Sequence, residues 1–489
     1  MESLVFAVAV GLCLAPIANA GKTVQWDIQK NNHRKVMSGK RATSTYSEVI
    51  TNEVARGGYF ATCAVGTPSQ NMTMQLDTGS SDIWVPWSSA LLCEEYECSL
   101  GTFNPDNSST YKDAGKGEFQ IAYVDGSYSK GDYFTDTFDI AGATISNVTM
   151  GLGKSTTIAY GLVGVGYKVN EAIVGTEDSV SAAYPNLPVV MVNEGLIATN
   201  AYSLWLNDLD SSTGSILFGG IDTEKYTGNL TKINIIQDPE TQLYDSFLVQ
   251  LTSIQAVSSS GTDELTSRDF PVEVVLDSGT TLTYIPTDLA EQVWTEVGAV
   301  YLAEVGMAVL PCSMQVSQGS FSFGFSGSQG PRISVTMDEL VLDLVTSGPA
   351  PTFSAGQYEG EEACAFGIQN SSSDPFLLGD TFLRSAYVVY DLVNNQIGMA
   401  QTDFNATASN IVAFESHGAQ IPFATLASNQ SLATSTSTFT EPAYVAESGF
   451  ANGTQDSGSM TVPRPGWEPL AVGGAAMLVS LFGGGLFLV

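Results

Sequence analysis

Two aspartates carry the strongest chemical signal in this sequence. Asp77 stands in "LDTGSSDIWVP", residues 76 to 86, and Asp277 in "LDSGTTLTYIP", residues 276 to 286; nine of the eleven paired positions are identical or chemically similar. In each copy the acid is followed by a hydroxyl residue (Thr78, Ser278), a glycine (Gly79, Gly279) and a second hydroxyl residue (Ser80, Thr280). The glycine lets the chain turn tightly and points backbone N–H groups at the carboxylate. Internal duplication with one acid per copy predicts two related halves that bring the acids together across one cleft. Two carboxyls brought together in this way are candidates for paired acid-base work.

The surrounding sequence supplies the elements that hold such loops. In "NMTMQLDTG", Met72, Met74 and Leu76 alternate with Asn71, Thr73 and Gln75, which predicts a strand running into the Asp77 turn. "PVEVVLDSG" runs apolar into Asp277 in the same way. Each half then supplies a later apolar strand ending in glycine, "GLVGVGY" at 161–167 and "FLLGDTFL" at 376–383. After Pro286, Thr287 is placed to cap a helix whose apolar stripe is Leu289, Val293, Trp294, Val297 and Val300. A third Asp-Ser-Gly, at Asp456, Ser457 and Gly458, has no strand before it and is expected to be structural or concerned with processing. The stretch from about 57 to 402, rich in Gly, Ser, Thr and β-formers, predicts a mostly β fold.

Bulk composition excludes several functions. The 489 residues are 44% hydrophobic, enough for a large core, and carry 18 basic against 51 acidic side chains, a formal charge of −33. Six of the basic residues precede position 42, so residues 42 to 489 hold 12 against 49, or −37. Nucleic acid is not an expected partner of such a surface, which suits basic substrates and an acidic exterior. With His33 and His417 as the only histidines and no zinc-finger spacing of thiols, no metal or cofactor is expected, and Ser-His-Asp or Cys-His chemistry lacks its base.

The ends look like processing signals. Residues 1–20 have an apolar run followed by Ala18 and Ala20, as a cleaved signal peptide does, with a membrane anchor as the alternative. Residues 21–41 are basic and end in the pair Lys40–Arg41, the pattern of a propeptide whose cations cover acidic groups until cleavage. Residues 406–457 have few large apolar side chains and predict a disordered Ser/Thr-rich stalk. Residues 458–489 end in twenty uncharged residues; small residues around Ser457 and a spacer from Met460 to Pro469 fit a removable GPI-attachment signal, and a spanning helix is the alternative. Eight sequons, at Asn71, Asn107, Asn147, Asn229, Asn370, Asn405, Asn429 and Asn452, agree with a secretory route. Five cysteines then remain. Cys93 and Cys98 lie close enough to staple a small loop, Cys312 and Cys364 could close a larger one, and Cys63 in "YFATCAVG" is expected to be a buried apolar residue.

With these motifs in order, together with "IAYVDGSYSKG" and "LFGGID", residues 57–402 resemble the pepsin-like aspartic proteases. The stalk, the tail and "AYSLWLNDLDSSTGSILFGGIDTEKYTG" are most similar to the fungal, GPI-anchored, yapsin-type branch. The resemblance implies an all-β, bilobal fold with pseudo-two-fold symmetry and a few short helices, its lobes at 42–228 and 229–405. It implies a monomeric endopeptidase working at acidic pH through Asp77 and Asp277 on protein or peptide substrates, held to the membrane by a GPI anchor. Ser80 and Thr280 match hydroxyls that bond the outer carboxylate oxygens, and Thr78 and Ser278 match those that brace the loops, Ser278 standing where threonine is commoner. Tyr123 matches the tyrosine of a flap over the substrate, followed by Asp125, Gly126 and Ser127, and Trp84 matches its hydrogen-bond partner. Asp125 has two readings: a carboxylate that pairs with Lys or Arg before the scissile bond, or a turn residue before Gly126. Two departures stand out: the propeptide is short, and no large acidic insertion lies between Cys98 and Tyr123. A catalytically idle wall glycoprotein that keeps the fold for binding is the alternative, and twin Asp-Ser/Thr-Gly loops do not predict the wider carboxyl spacing of a glycosidase.

Overall fold

Two strand pairs of the same local topology build the centre of the molecule. In a computed structural model, residues 23–30, 58–96, 98–211, 213–267, 270–303, 306–344, 350–430 and 440–450 are described. Strand Gln70–Asp77 lies parallel to Leu162–Gly164, with Asp77 opposite Gly164, and Ile83–Pro86 returns antiparallel to that same strand. In the second half Val272–Leu276 lies parallel to Phe376–Leu378, and Thr283–Pro286 returns antiparallel to it. Each acid loop is thus looped over a glycine. A Cβ on Gly164 would lie 2.6 Å from Ser81 N, and one on Gly379 would lie 2.3 Å from Thr280 O.

The strands belong to a fourteen-stranded sheet and an eight-stranded sheet of the bilobal, all-β fold, and the larger sheet takes strands from both halves of the chain. The middle of the larger sheet runs through Ala386–Asp391, Ala201–Trp205, Thr213–Phe218, Val24–Lys30, Tyr59–Val65 and Gln70–Asp77, so distant parts of the chain share one hydrogen-bonded surface. Alternation is clear at the outer end of Gln70–Asp77, where Asn71 is exposed and Met72 buried. It fades toward Asp77 because Gln75 is also buried, its Nε2 donating to Gly279 O of the other loop at 3.2 Å. Arg384 and Glu339 form a buried ion pair, and Glu339 Oε1 accepts from Leu209 N at 3.0 Å. The helix after Pro286 spans Thr287–Val297 and ends on Gly298 at φ 67°. Thr287 is its first residue rather than its cap, since its hydroxyl donates to Ser371 O, and Val300 lies beyond it in strand Val300–Leu302.

Two terminal segments depart from the compositional reading. Val24–Lys30, inside the predicted propeptide, is paired with Thr213–Phe218 along one edge and with Tyr59–Val65 at its end, with Trp26 and Ile28 buried. The remainder of that segment, with Lys40 and Arg41, lies outside the described residues. The disordered stalk predicted from 406 is corrected for two stretches. Ile411–Ala413 pairs with Gly220–Asp222, Thr425–Leu426 pairs with Thr231 and Lys232, and Phe414 and Ile421 are buried. Glu447–Phe450 forms a helical turn with Phe450 buried. Few apolar side chains suffice here because edge strands of the body supply the backbone partners that a free stalk would lack.

Candidate active site

Asp77 and Asp277 are fully buried and seated alike. Oδ1 of Asp77 accepts from Gly79 N at 2.8 Å and Oδ2 from Ser80 Oγ at 2.5 Å; Oδ1 of Asp277 accepts from Gly279 N at 2.8 Å and Oδ2 from Thr280 Oγ1 at 2.6 Å. The loops also brace each other across the lobes. Thr78 N donates to Ser278 Oγ at 3.2 Å and Ser278 N to Thr78 Oγ1 at 2.9 Å, while the same two hydroxyls donate to Leu276 O and Leu76 O. The two carboxyls lie close enough for the charge of Asp77 to act on Asp277, and neighbours so placed resist ionising together.

Burial raises the proton affinity of both acids, and the charge of Asp77 raises Asp277 further. Bonds from Ser80 and Gly79 to Asp77, and from Thr280 and Gly279 to Asp277, pull both acids back down, and the charge of one opposes ionisation of the other, so the pair gives up its two protons in separate steps. Such a pair can hold one acid and one base together at moderately acidic pH.

Above the pair, strands Lys112–Ala122 and Tyr128–Ile140 form a hairpin whose turn carries Tyr123 to Ser127. Tyr123 N donates to Ser127 O and Gly126 N to Tyr123 O, both at 2.9 Å. The Tyr123 hydroxyl accepts from Trp84 Nε1 at 2.7 Å; burial first, and the charge of Asp77 next, hold that phenol well above its ordinary range. Asp125 Oδ1 accepts from Ser127 N at 2.8 Å and from Ser127 Oγ at 2.6 Å, an Asx turn that satisfies the structural reading of this residue. Its charge also reaches Tyr284 of the opposite lobe, raising that phenol after burial has done so. The hairpin is thus bonded to Trp84 beyond one acid loop, and the charge at its tip is felt by Tyr284 beyond the other.

A further buried carboxylate beside the site is not foreseen by the sequence motifs. Asp82 Oδ1 accepts from Tyr184 OH at 2.6 Å and Tyr133 OH at 3.4 Å, and Oδ2 from Ala172 N at 2.7 Å. Burial holds its carboxyl at about 6 despite these bonds. Neighbouring Glu171 accepts from Tyr184 N and is pushed to about 10, by burial first and then by the charge of Asp82. The available signal was the mismatch between the copies, Asp82 against Leu282, at one of the two positions where they disagree.

Other predicted site residues fall apart from the cleft. Cys93–Cys98 and Cys312–Cys364 are disulfides, and Cys63 is buried and unpaired. Asn71, Asn107, Asn147, Asn229, Asn405 and Asn429 are exposed; Asn370 is half-buried, its amide donating to Thr287 Oγ1. Asn452 and Ser457 lie outside the described residues. Among the described residues no helix is long and apolar enough to cross a membrane.

Comparison with known proteins gives the geometry a family. The family model described as "Eukaryotic aspartyl protease" matches residues 58–402, a span that contains both acid loops and the hairpin. The chain is 40% identical to the probable aspartic-type endopeptidase opsB of Aspergillus oryzae over 418 residues, 83% of this chain and 81% of that protein. It is 35% identical to barrierpepsin of Saccharomyces cerevisiae, over 71% of this chain and 61% of that protein. It is also 35% identical to secreted aspartic protease 8 of Candida albicans, over 72% and 77%. Matched acid loops inside a span that such relatives share along most of its length leave one assignment: the chain belongs to the eukaryotic aspartyl proteases and is an aspartic-type endopeptidase.

Proposed function

We propose that Asp77 and Asp277 are the catalytic pair, hydrolysing peptide bonds by acid-base activation of one water held between them. The equivalent seating of the two carboxyls is the observation that supports this most strongly. The ionised carboxyl takes a proton from water as its oxygen bonds to the scissile carbon, and the protonated partner gives its proton to the carbonyl oxygen. Collapse of the tetrahedral intermediate breaks the C–N bond as the amine accepts a proton from one carboxyl and a hydroxyl of the intermediate returns a proton to the other, leaving the pair singly ionised again. Ser80 and Thr280 fix the outer carboxyl oxygens, Thr78 and Ser278 fix the loops, and Tyr123, held by Trp84, closes over the substrate. Peptide-library digestion from about pH 3 to about pH 7, with Asp77→Asn as control, tests the assignment. Cleavage that survives Asp77→Asn would remove Asp77 from catalysis.

The same reading gives the enzyme a preference for Lys or Arg before the scissile bond, through Asp125. Both local bonds of Asp125 fall on Oδ1, its charge reaches across to Tyr284, and the chain beyond residue 41 is strongly acidic. Asp125→Ala is expected to reduce cleavage after basic residues about tenfold or more while sparing apolar sites. An unchanged cleavage pattern would leave Asp125 a turn residue.

The enzyme follows a secretory route, as the name of the Candida albicans relative says of that protein, loses residues 1–20, is glycosylated at its exposed sequons, and is anchored at Ser457 on the outer face of the plasma membrane or in the wall. Activation is by cleavage after Lys40–Arg41. Because Val24–Lys30 is paired with two strands, that cut alone leaves it in the sheet. Release from cells by a phosphoinositide-specific phospholipase tests the anchor; resistance, with peptides from 460–489 retained, would show a spanning helix.

A further inference from the structure

The chain from Thr440 to Phe450 is seated on the C-terminal lobe, along the hairpin of Leu248–Ser258 and Gly261–Leu265. Thr266 Oγ1 donates to Thr440 O at 2.9 Å, Ser260 Oγ to Val445 O at 2.7 Å and Ser258 Oγ to Ala446 O at 2.6 Å. Ala446 N donates to Asp263 Oδ2 at 2.7 Å, and Ser317 Oγ to Phe450 O at 2.8 Å. Ala446 and Phe450 are buried, so the bonds at these two residues are shielded from water.

Room for the contact is made on both of its sides. The Phe450 ring stacks on Phe321 at 5.3 Å, in a place that a Cβ on Gly319 would enter, 2.1 Å from the ring. A Cβ on Gly261 would lie 2.9 Å from the Val445 side chain, and one on Gly449, in the segment itself, 2.2 Å from Ser258 Oγ. A stalk that merely passed the lobe would need none of these spaces. The seat is also joined to the acid loops by continuous sheet, since Leu248–Ser258 pairs with Val272–Leu276, the strand that runs into Asp277.

The point at which the tail leaves the body sets how far the cleft can stand from its attachment. With the anchor at Ser457, on which this reach depends, a tail free from residue 405 would have 457 − 405 = 52 residues. Such a chain extends to about 180 Å and spans about 40 Å on average. Leaving at Phe450, it has 457 − 450 = 7 residues and extends to about 25 Å at most. We propose that the 440–450 seat fixes both the length and the departure point of the tether, holding the C-terminal lobe close to the anchoring surface. The enzyme then acts on exposed segments of proteins attached in that same surface layer, in preference to targets held far out from it.

The seat is tested without the anchor by hydrogen exchange on the full chain carrying Asp77→Asn, to prevent self-digestion. Peptide 441–450 is expected to exchange about tenfold or more below its unstructured rate. Gly319→Val, which fills the place of the Phe450 ring from the side of the lobe, and Phe450→Ala should each remove that protection while strand Ala386–Asp391 stays protected. Exchange of wild-type 441–450 at the unstructured rate would overturn the proposal.

Reach is read on cells that display the active enzyme, with one cleavable peptide presented at the cell surface on proline spacers of increasing length, about 3 Å per residue. An insert of about twenty Gly/Ser residues directly after Phe450 should raise cleavage on the long spacers about tenfold. The same insert between residues 435 and 436, ahead of the seat, should change nothing, and Gly319→Val should make it act like the first. Hydrolysis of a soluble peptide should be equal in all of them. Equal gains from the two inserts, or a gain from neither, would overturn the proposal. Enzyme that stays on cells after phospholipase treatment would overturn the anchor at Ser457 alone, because the two inserts compare in the same way for any C-terminal attachment.

Discussion

The loops that begin at Asp77 and Asp277 share their first four residues in function and diverge beyond them. Both acids receive the same two hydrogen bonds from the same offsets, and each loop braces the other. Five residues past the acids, Asp82 gathers Tyr184, Tyr133 and Ala172, whereas Leu282 is simply buried. Seven residues past them stand two aromatics, Trp84 bonded to the hairpin Tyr123 and Tyr284 within reach of Asp125 at the hairpin tip. Duplication thus preserved the part that needs symmetry, a proton shared between equals. It released the part that serves a hairpin present on one side of the cleft.

Breaking the shared part should cost most. Asp77→Asn and Asp277→Asn are each expected to lower kcat/KM by about a thousandfold or more, measured on a single peptide. The double variant should be little worse than either single one, because the acids act as a unit. Independent, multiplying losses would mean that the two loops do not form one pair.

Making the first loop like the second should cost stability. Asp82→Leu leaves the donors of Tyr184, Ala172 and Tyr133 buried without an acceptor, at about 3 kcal/mol or more by denaturant unfolding. Leu282→Ala removes apolar contacts alone and should cost about 2 to 3 kcal/mol with no change in pH dependence. Asp82 also makes the first loop sensitive to pH. Its carboxyl is raised to about 6, so the folded state binds a proton that the unfolded state has already released; its stabilisation is complete below the ordinary aspartate range and is lost as pH rises through about 6. Between about pH 4 and about pH 7 this amounts to about 3 kcal/mol, and Asp82→Asn should flatten the stability curve by that amount. An equally steep curve in Asp82→Asn would place the sensitivity elsewhere.

The aromatics give the smallest and most selective effects. Trp84→Phe loses one hydrogen bond to Tyr123, about 1 kcal/mol, and should lower kcat/KM for all peptides several-fold. Tyr284→Phe should change only the ratio of basic to apolar substrates, by a smaller factor, because Tyr284 stands by Asp125 rather than by Tyr123.

The acid loops, their strands, the hairpin tyrosine and the Cys93–Cys98 disulfide were legible because each is encoded within a dozen residues or in a repeated phrase. The Asp82 cluster was not, since Tyr184 and Ala172 join it from 102 and 90 residues away and carry no local pattern. Nor were the seated stretches after residue 405. Their composition matches a disordered chain, and they are ordered by backbone pairing to strand edges and by a few anchors such as Phe414 and Phe450. Composition reports how much core a segment can build alone, not how much it can borrow.

The dependence of kcat/KM on pH, measured on one peptide without titrating groups, tests the shared proton most directly. A singly ionised pair predicts a bell, with activity lost on the acid side when the pair takes up its second proton and on the neutral side when it loses its last one. A single rise to a plateau at neutral pH would contradict it, because two independent carboxylates would then be doing the work of one pair.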